Sequence, residues 1–236
     1  MLKTDAQFVQ GEGSQKGFTI VELMIATTVF SVIMLMTSAV VVRFTGSFQR
    51  GVVQNTTQNA ARSIIDSVTQ TLQVAPVGTF KELQANGNTR GYCVDGMRYS
   101  YALGGQIGTD GVSHALVQDT GLGSACADPA DGISRAQNVS GAISGKELLS
   151  PNMRLAGFNI KELPGGMLFY VDIKVAYGDK DLLCSQAIPS SCQPGAAVLD
   201  INGLSEEALS GLQCKGDIGS QYCGVSELST TVQRRL

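Results

Sequence analysis

The 236-residue sequence contains no tryptophan, one histidine (His114), and only 16% charged residues with a formal net charge of −3. So weak a field excludes nucleic acid as a main partner and does not favour an anionic lipid surface. None of the six cysteines is spaced as CxxC. With one histidine beside them, a zinc site has too few ligands. His114 has no nucleophile or carboxylate set near it by any recognisable pattern, so it reads as a structural or surface residue. The glycines, although 28 in number, do not sit between a strand and a helix in a phosphate-binding pattern. These absences point away from an enzyme.

Against that background one stretch stands out. From Phe18 to Val42 the chain runs 25 residues with a single charge, Glu22, and no glycine or proline. About 20 apolar residues at ~1.5 Å rise cross the hydrocarbon of a bilayer. Lipid leaves the backbone little choice but a helix, whatever its β-branched content. A carboxylate inside such a span costs at least about 2.5 kcal/mol on insertion scales, so Glu22 calls for a partner and a purpose. Lys16-Gly17 stands directly before Phe18. A secretory signal places its apolar region before the cut and loses it; here a cut at the small residue would keep it.

The residues Gly17-Phe18-Thr19-Ile20-Val21-Glu22-Leu23-Met24-Ile25-Ala26 resemble the prepilin cleavage and methylation motif of type IV pilins and pseudopilins. The resemblance covers about 25 residues; the rest of the chain is similar in layout only. It implies cleavage between Gly17 and Phe18, N-methylation of the new Phe18 amine, and Glu22 as the carboxylate required for assembly. It also implies a prepilin peptidase, an inner-membrane assembly platform and other pilin subunits as partners. The leader departs from the family's basic character, since Lys3 and Lys16 are balanced by Asp5 and Glu12. Arg43 and Arg50 lie just beyond the span, so a cytoplasmic amino terminus follows from the motif and not from the charge rule.

Beyond Val42 the helix is expected to continue. Ala60, Ile64, Ile65, Val68 and Leu72 recur near a 3.6-residue period, Arg62 and Asp66 stand one turn apart, and Pro76 and Gly78 stop it. Gly46 and Gly51 are poor helix formers, and bending or local melting is expected there. Thr79–Glu82 reads as a short capped turn, and Asn86-Gly87 marks a turn. Tyr92–Val94, Asp95-Gly96 and Met97–Leu103 read as a hairpin. Ala115–Gln118 is the next strand, and 119–146 a long loop. Met153–Ile160 changes face midway, which a bulge at Gly157 reconciles. In Met167–Tyr177, Phe169, Val171, Ile173, Val175 and Tyr177 share one face. Residues 178–224 read mainly as connection, with a short helix at Ser205–Leu212. In the tail, Val225, Leu228 and Val232 have helical spacing, yet Ser229-Thr230-Thr231-Val232 favours a strand; a strand is assigned on the family resemblance.

All six cysteines, Cys93, Cys126, Cys184, Cys192, Cys214 and Cys223, lie past the span. An even count in an exported domain reads as three disulfides, expected as Cys93–Cys126 plus two bridges among the last four. Asp179 and Asp181 are a candidate calcium pair that lacks an EF-hand's further ligands, so a solvated turn is favoured and no cofactor is assigned. Asp128 and Asp131 read as loop. Tyr99 and Tyr101 share a strand face and read as core.

The expectation is an α+β, type IV pilin-like fold: a cleaved leader (1–17), a membrane or filament-core half-helix (18–42), an amphipathic half (43–75), and a β-rich head (76–236) with about four antiparallel strands and a disulfide-tied C-terminal region. Its expected function is structural, as a minor pilin anchored once in the cytoplasmic membrane with an extracytoplasmic head, then carried into an extracellular pilus. The alternatives are a type II secretion pseudopilin or a DNA-uptake pilus subunit. From another class comes a membrane-anchored extracytoplasmic receptor or enzyme.

Overall fold

A computed structural model describes residues 17–86, 89–109, 111–119, 126, 145–216 and 219–235. The fold is α+β: a long N-terminal helix, antiparallel sheets, and disulfides in the C-terminal region. The chain divides into two units, Met1–Thr45 and Gly46–Leu236.

Helix α1 spans Ile20–Val74, 55 residues. Of the bending or local melting expected at Gly46 and Gly51, melting is absent: the helix is continuous through both. Each glycine costs about 1 kcal/mol relative to alanine, too little to break a cooperative ladder of this length. Pro76 lacks the N–H needed to extend the helix. Arg62 and Asp66 form no ion pair among the described residues. Their order, cation before anion at i,i+4, is the weaker one.

In the second unit, Val53, Thr57, Ala61, Ile64, Val68 and Leu72 form the buried stripe of α1. Ala60 and Ile65 flank it, partly buried. From Ala61 onward this stripe packs against Phe169, Val171, Ile173, Val175 and Val232 and against the inner side chains Tyr92, Val94, Tyr99, Tyr101 and Leu116 in one core. Each fully buried Ile, Leu or Val contributes about 1.5–3 kcal/mol.

The strands number more than expected. Instead of one sheet of about four strands the described residues form three antiparallel sheets. β1 (Phe80–Asn86), β2 (Thr89–Val94), β3 (Met97–Ala102), β4 (Leu116–Asp119) and β5 (Gly145–Glu147) form a meander in chain order. Thr79–Glu82 is therefore no capped turn. The Thr79 N–H and hydroxyl both donate to the Pro76 carbonyl, finishing the helix exit, and Phe80 already pairs with Val94. The β2–β3 hairpin turns at Asp95 and Gly96, with φ of 49° and 77°. A two-residue turn of that hand requires positive φ at both positions, which Asp-Gly supplies. Of the predicted 119–146 loop, Asp119 and the segment from Gly145 are strand; Gly87 and residues 127–144, including Asp128 and Asp131, lie outside the described residues.

β6 (Met153–Glu162), β7 (Leu168–Tyr177) and β10 (Gly224–Gln233) form the second sheet, with β7 central. The register slips between Leu155 and Gly157, leaving Ala156 as the extra residue of the bulge. Leu155 thereby faces the helix core while Ala156 enters a second cluster with Ala176, Leu183, Ile201, Leu209, Leu212 and Cys223. That cluster is built by the segment read in sequence as connection. It contains β8 (Leu183–Ser185) paired with β9 (Leu212–Cys214), and α2 (Glu206–Ser210). Ser205 caps α2 by accepting the Ala208 N–H at 3.3 Å. Disulfides join Cys93–Cys126, Cys184–Cys192 and Cys214–Cys223.

Gly224 begins β10 where the sheet meets the helix. A Cβ there would lie 2.9 Å from Thr57 Oγ1 and 3.0 Å from Val53 Cγ1. At the other end of the strand, the Arg235 N–H donates to the Gln73 carbonyl near the end of α1.

Candidate assembly site

The amino-terminal turn of α1 is built by Thr19 and Glu22. Gly17, Phe18 and Thr19 precede the helix, which starts at Ile20 and not at Phe18. Thr19 Oγ1 accepts the Glu22 N–H at 3.2 Å and the Thr19 carbonyl accepts the Leu23 N–H at 3.2 Å. Threonine followed three residues later by glutamate is the capping-box pattern, of which only the threonine half forms: the Thr19 hydroxyl takes the Glu22 N–H that the helix cannot pair internally. It also places an acid in the first turn, the favourable end of the helix dipole.

Every residue from Gly17 to Thr45 is exposed in the chain by itself. That includes Phe18 at 81%, Ile20 at 78% and Leu35 at 72%. A helix apolar on all sides belongs inside a membrane or a bundle. Its composition and length make α1 the one candidate membrane-crossing helix among the described residues. Its hydroxyl groups do not spoil that surface. Thr27 and Thr28 donate to the Met24 carbonyl, Ser31 to Thr27, Thr37 to Ile33, Ser38 to Met34 and Thr45 to Val41, at 2.7–3.0 Å. Each hydroxyl is satisfied within its own helix. Glu22 is the exception. Its exposed carboxylate has no hydrogen-bond or ion-pair partner among the described residues. A Cβ on Gly17 would meet nothing within 4 Å, so packing does not demand glycine there.

The other candidates lie in the head, apart from this turn. His114 Nδ1 is 3.4 Å from Glu147 Oε2. Glu147 accepts the N–H groups of Ala115, Leu116 and Leu149 at 3.0–3.1 Å, tying the start of β4 to the end of β5. Burial pushes the Glu147 carboxyl above its ordinary range, against the pull of those N–H groups and of His114. Asp179 accepts from Gln106 Nε2 at 3.3 Å and shares with Asp181 and Asp200 a cleft of about 360 Å³. No three His, Cys, Asp or Glu side chains converge as a metal set among the described residues. Tyr99 and Tyr101 are core, 0% and 2% exposed. Burial raises both phenols, which therefore stay neutral.

Sequence reading missed the buried cations, Arg98 and Arg154 among them. Arg98 lies opposite Asp119 across β3 and β4, donating to Oδ2 from Nε and Nη2 at 3.1 and 2.9 Å. Arg154 bonds the Gly104 and Gly178 carbonyls and Gln106 Oε1. Only the register of β3 against β4 reveals the partner of Arg98.

Residues 13–38 match the family model described as the prokaryotic N-terminal methylation motif, the type IV pilin and pseudopilin signature. No curated protein matches the chain, and neither does any solved structure.

Proposed function

We propose that this chain is a structural subunit of a type IV pilus or a related filament, a minor pilin before a major one, assembled through its N-terminal helix. A membrane peptidase cuts between Gly17 and Phe18 and methylates the Phe18 amine. The mature chain waits as a single-pass protein of the cytoplasmic membrane with its head outside, and then joins other pilins through the assembly platform. The minor-pilin preference rests on length and cysteine content.

The observation that carries this reading is Glu22: the one charge of the Phe18–Val42 run, its carboxylate without a partner among the described residues on an apolar run whose hydroxyls are satisfied. A freed Phe18 amine brings a cation to the same surroundings. A neighbour's Glu22 neutralises it, and the pair is favourable relative to either charge alone in low dielectric, although burying both costs desolvation. Such pairing sets the axial position of one subunit against the next.

A type II secretion pseudopilin or DNA-uptake pilus subunit would share every feature of this helix, and the identity of the co-assembling subunits separates them. A membrane-anchored receptor or enzyme would keep its first 17 residues and tolerate Glu22→Ala. Intact mass of the chain extracted from membranes, with Glu22→Ala scored for incorporation into sheared filaments, tests the proposal. A leader-bearing mass together with normal function of the variant overturns it.

A further inference from the structure

Where the chain leaves β7, the head opens a polar cleft that neither its core nor the assembly motif uses. The cleft holds about 350 Å³, and Gln49 and Thr56 of α1, Gln106, Asn152, Asp179 and Tyr222 are among its lining. Gln106 and Asp179 also line the cleft of about 360 Å³ that contains Asp181 and Asp200, so the two hollows adjoin.

The walls of this cleft are fixed by specific bonds. Gln106 is only 7% exposed. Its Oε1 accepts from Arg154 Nη2 at 2.7 Å, which orients the amide so that Nε2 donates to Asp179 Oδ1 at 3.3 Å. Arg154 is held in turn by the Gly104 and Gly178 carbonyls. Gly178 has a φ of 117°, and a Cβ there would lie 3.0 Å from the Tyr222 carbonyl. Glycine alone lets the Tyr222 wall stand so close. Asn152 has a φ of 64°; its N–H donates to the Ile107 carbonyl and its own carbonyl accepts from Gly178. Tyr222 directly precedes the Cys214–Cys223 bridge, yet it is 52% exposed.

The lining selects a class of ligand. Asp179, Asp181 and Asp200 outweigh Lys180 at the mouth, and the Arg154 guanidinium is engaged by protein acceptors, so phosphates and carboxylates are repelled. A wholly apolar ligand would strip water from Gln49, Gln106, Asn152 and Asp179 and return no hydrogen bond. No three His, Cys, Asp or Glu side chains converge on a metal among the described residues. A neutral sugar suits each feature. Its hydroxyls both donate and accept. The Gln106 amide beside the Asp179 carboxylate offers a donor and an acceptor side by side, as neighbouring ring hydroxyls require. The apolar face of a sugar ring packs on an aromatic side chain, and Tyr222 presents one at the rim. A volume near the lower end of the range for ligand pockets suits the end of an oligosaccharide.

We propose that this cleft binds the neutral end of a saccharide, with Asp179 and Gln106 holding adjacent hydroxyls and Tyr222 stacked on the ring. Sugar recognition goes beyond the filament reading and does not rest on it.

The test takes the full-length chain, purified in a detergent without a sugar headgroup, to an array of neutral, sialylated and sulfated oligosaccharides. Saturation-transfer NMR then measures affinity for the neutral probes retained. Binding is expected on neutral probes and not on the anionic ones. Tyr222→Ala and Asp179→Ala should each weaken it by about tenfold or more, whereas Tyr222→Phe, which keeps the ring, should retain most of the affinity. Both side chains are exposed, so head melting should match wild type in all three variants. An array with no neutral probe bound, a preference for anionic probes, or neutral binding that both alanine variants leave unchanged overturns the site.

Discussion

The same side chain, isoleucine, occurs in both halves of α1 with opposite surroundings, and this makes a stringent comparison. Ile64 is 1% exposed within the core shared by the helix stripe and the sheets, whereas Ile33 is 53% exposed. Truncating a buried isoleucine to alanine costs about 2–5 kcal/mol, transfer and cavity together. For a domain of this size about 1 kcal/mol moves the melting temperature by ~2–4 °C. Ile64→Ala should therefore lower melting of the oxidised, detergent-solubilised chain by roughly 5–15 °C, read by near-ultraviolet circular dichroism. Ile33→Ala should leave head melting within about 2 °C, because no head contact is lost and alanine favours helix. Equal shifts for both variants, or an Ile64→Ala chain that melts like wild type, would refute the division of α1 into a head-packing part and a partner-seeking part.

Three further outcomes are expected. Gly224→Ala puts a methyl group against Thr57 and Val53 and should cost about 1–3 kcal/mol in chemical denaturation, with backbone shifts at the start of β10. Arg98→Met leaves the buried Asp119 carboxylate without its described guanidinium partner and should cost about 3–5 kcal/mol at neutral pH. Burial already raises the Asp119 carboxyl, against the pull of Arg98, and a raised folded-state value means that the charged form opposes folding. The Arg98→Met deficit should therefore be full above the folded-state value and shrink as pH falls toward the ordinary carboxylate range; a deficit independent of pH would exclude this cause. Asp172 is raised by burial and by nearby Glu227, against Lys174, so Asp172→Asn should raise melting at pH 7 and lose that advantage as acid protonates the wild-type carboxyl.

The parts legible in sequence were those with one dominant local signal. An apolar run without glycine or proline reads as helix, Asp95-Gly96 as a tight hairpin, and Phe169 to Val175 as a strand with one buried face. Strand β1 was hidden because Phe80-Lys81-Glu82-Leu83-Gln84 has no β-branched residue; pairing with β2 decides its conformation. In β10 the residues turned inward include Gly224 and Ser226 as well as Val232, so polar residues on the buried face mask the alternation. The family resemblance, not periodicity, pointed to that strand. Segment 178–224 looked like connection because its strands are three residues long and its apolar side chains, far apart in sequence, meet one another and Ala156 and Ala176 only in the folded cluster. The Glu147 clamp on β4 and the Arg98–Asp119 pair join residues that only register brings together.

At the assembly site the motif residues were plain in sequence, but the capping role of Thr19 was not, because its worth depends on where the helix begins. Glu22 stands out in the structure because the serines and threonines around it are already satisfied.

Intact mass of the chain drawn from the membranes of its native host bears most directly on this picture. A polypeptide starting at Phe18 and heavier by a single methyl group is the predicted species. A functional protein still carrying Met1–Gly17 would contradict it.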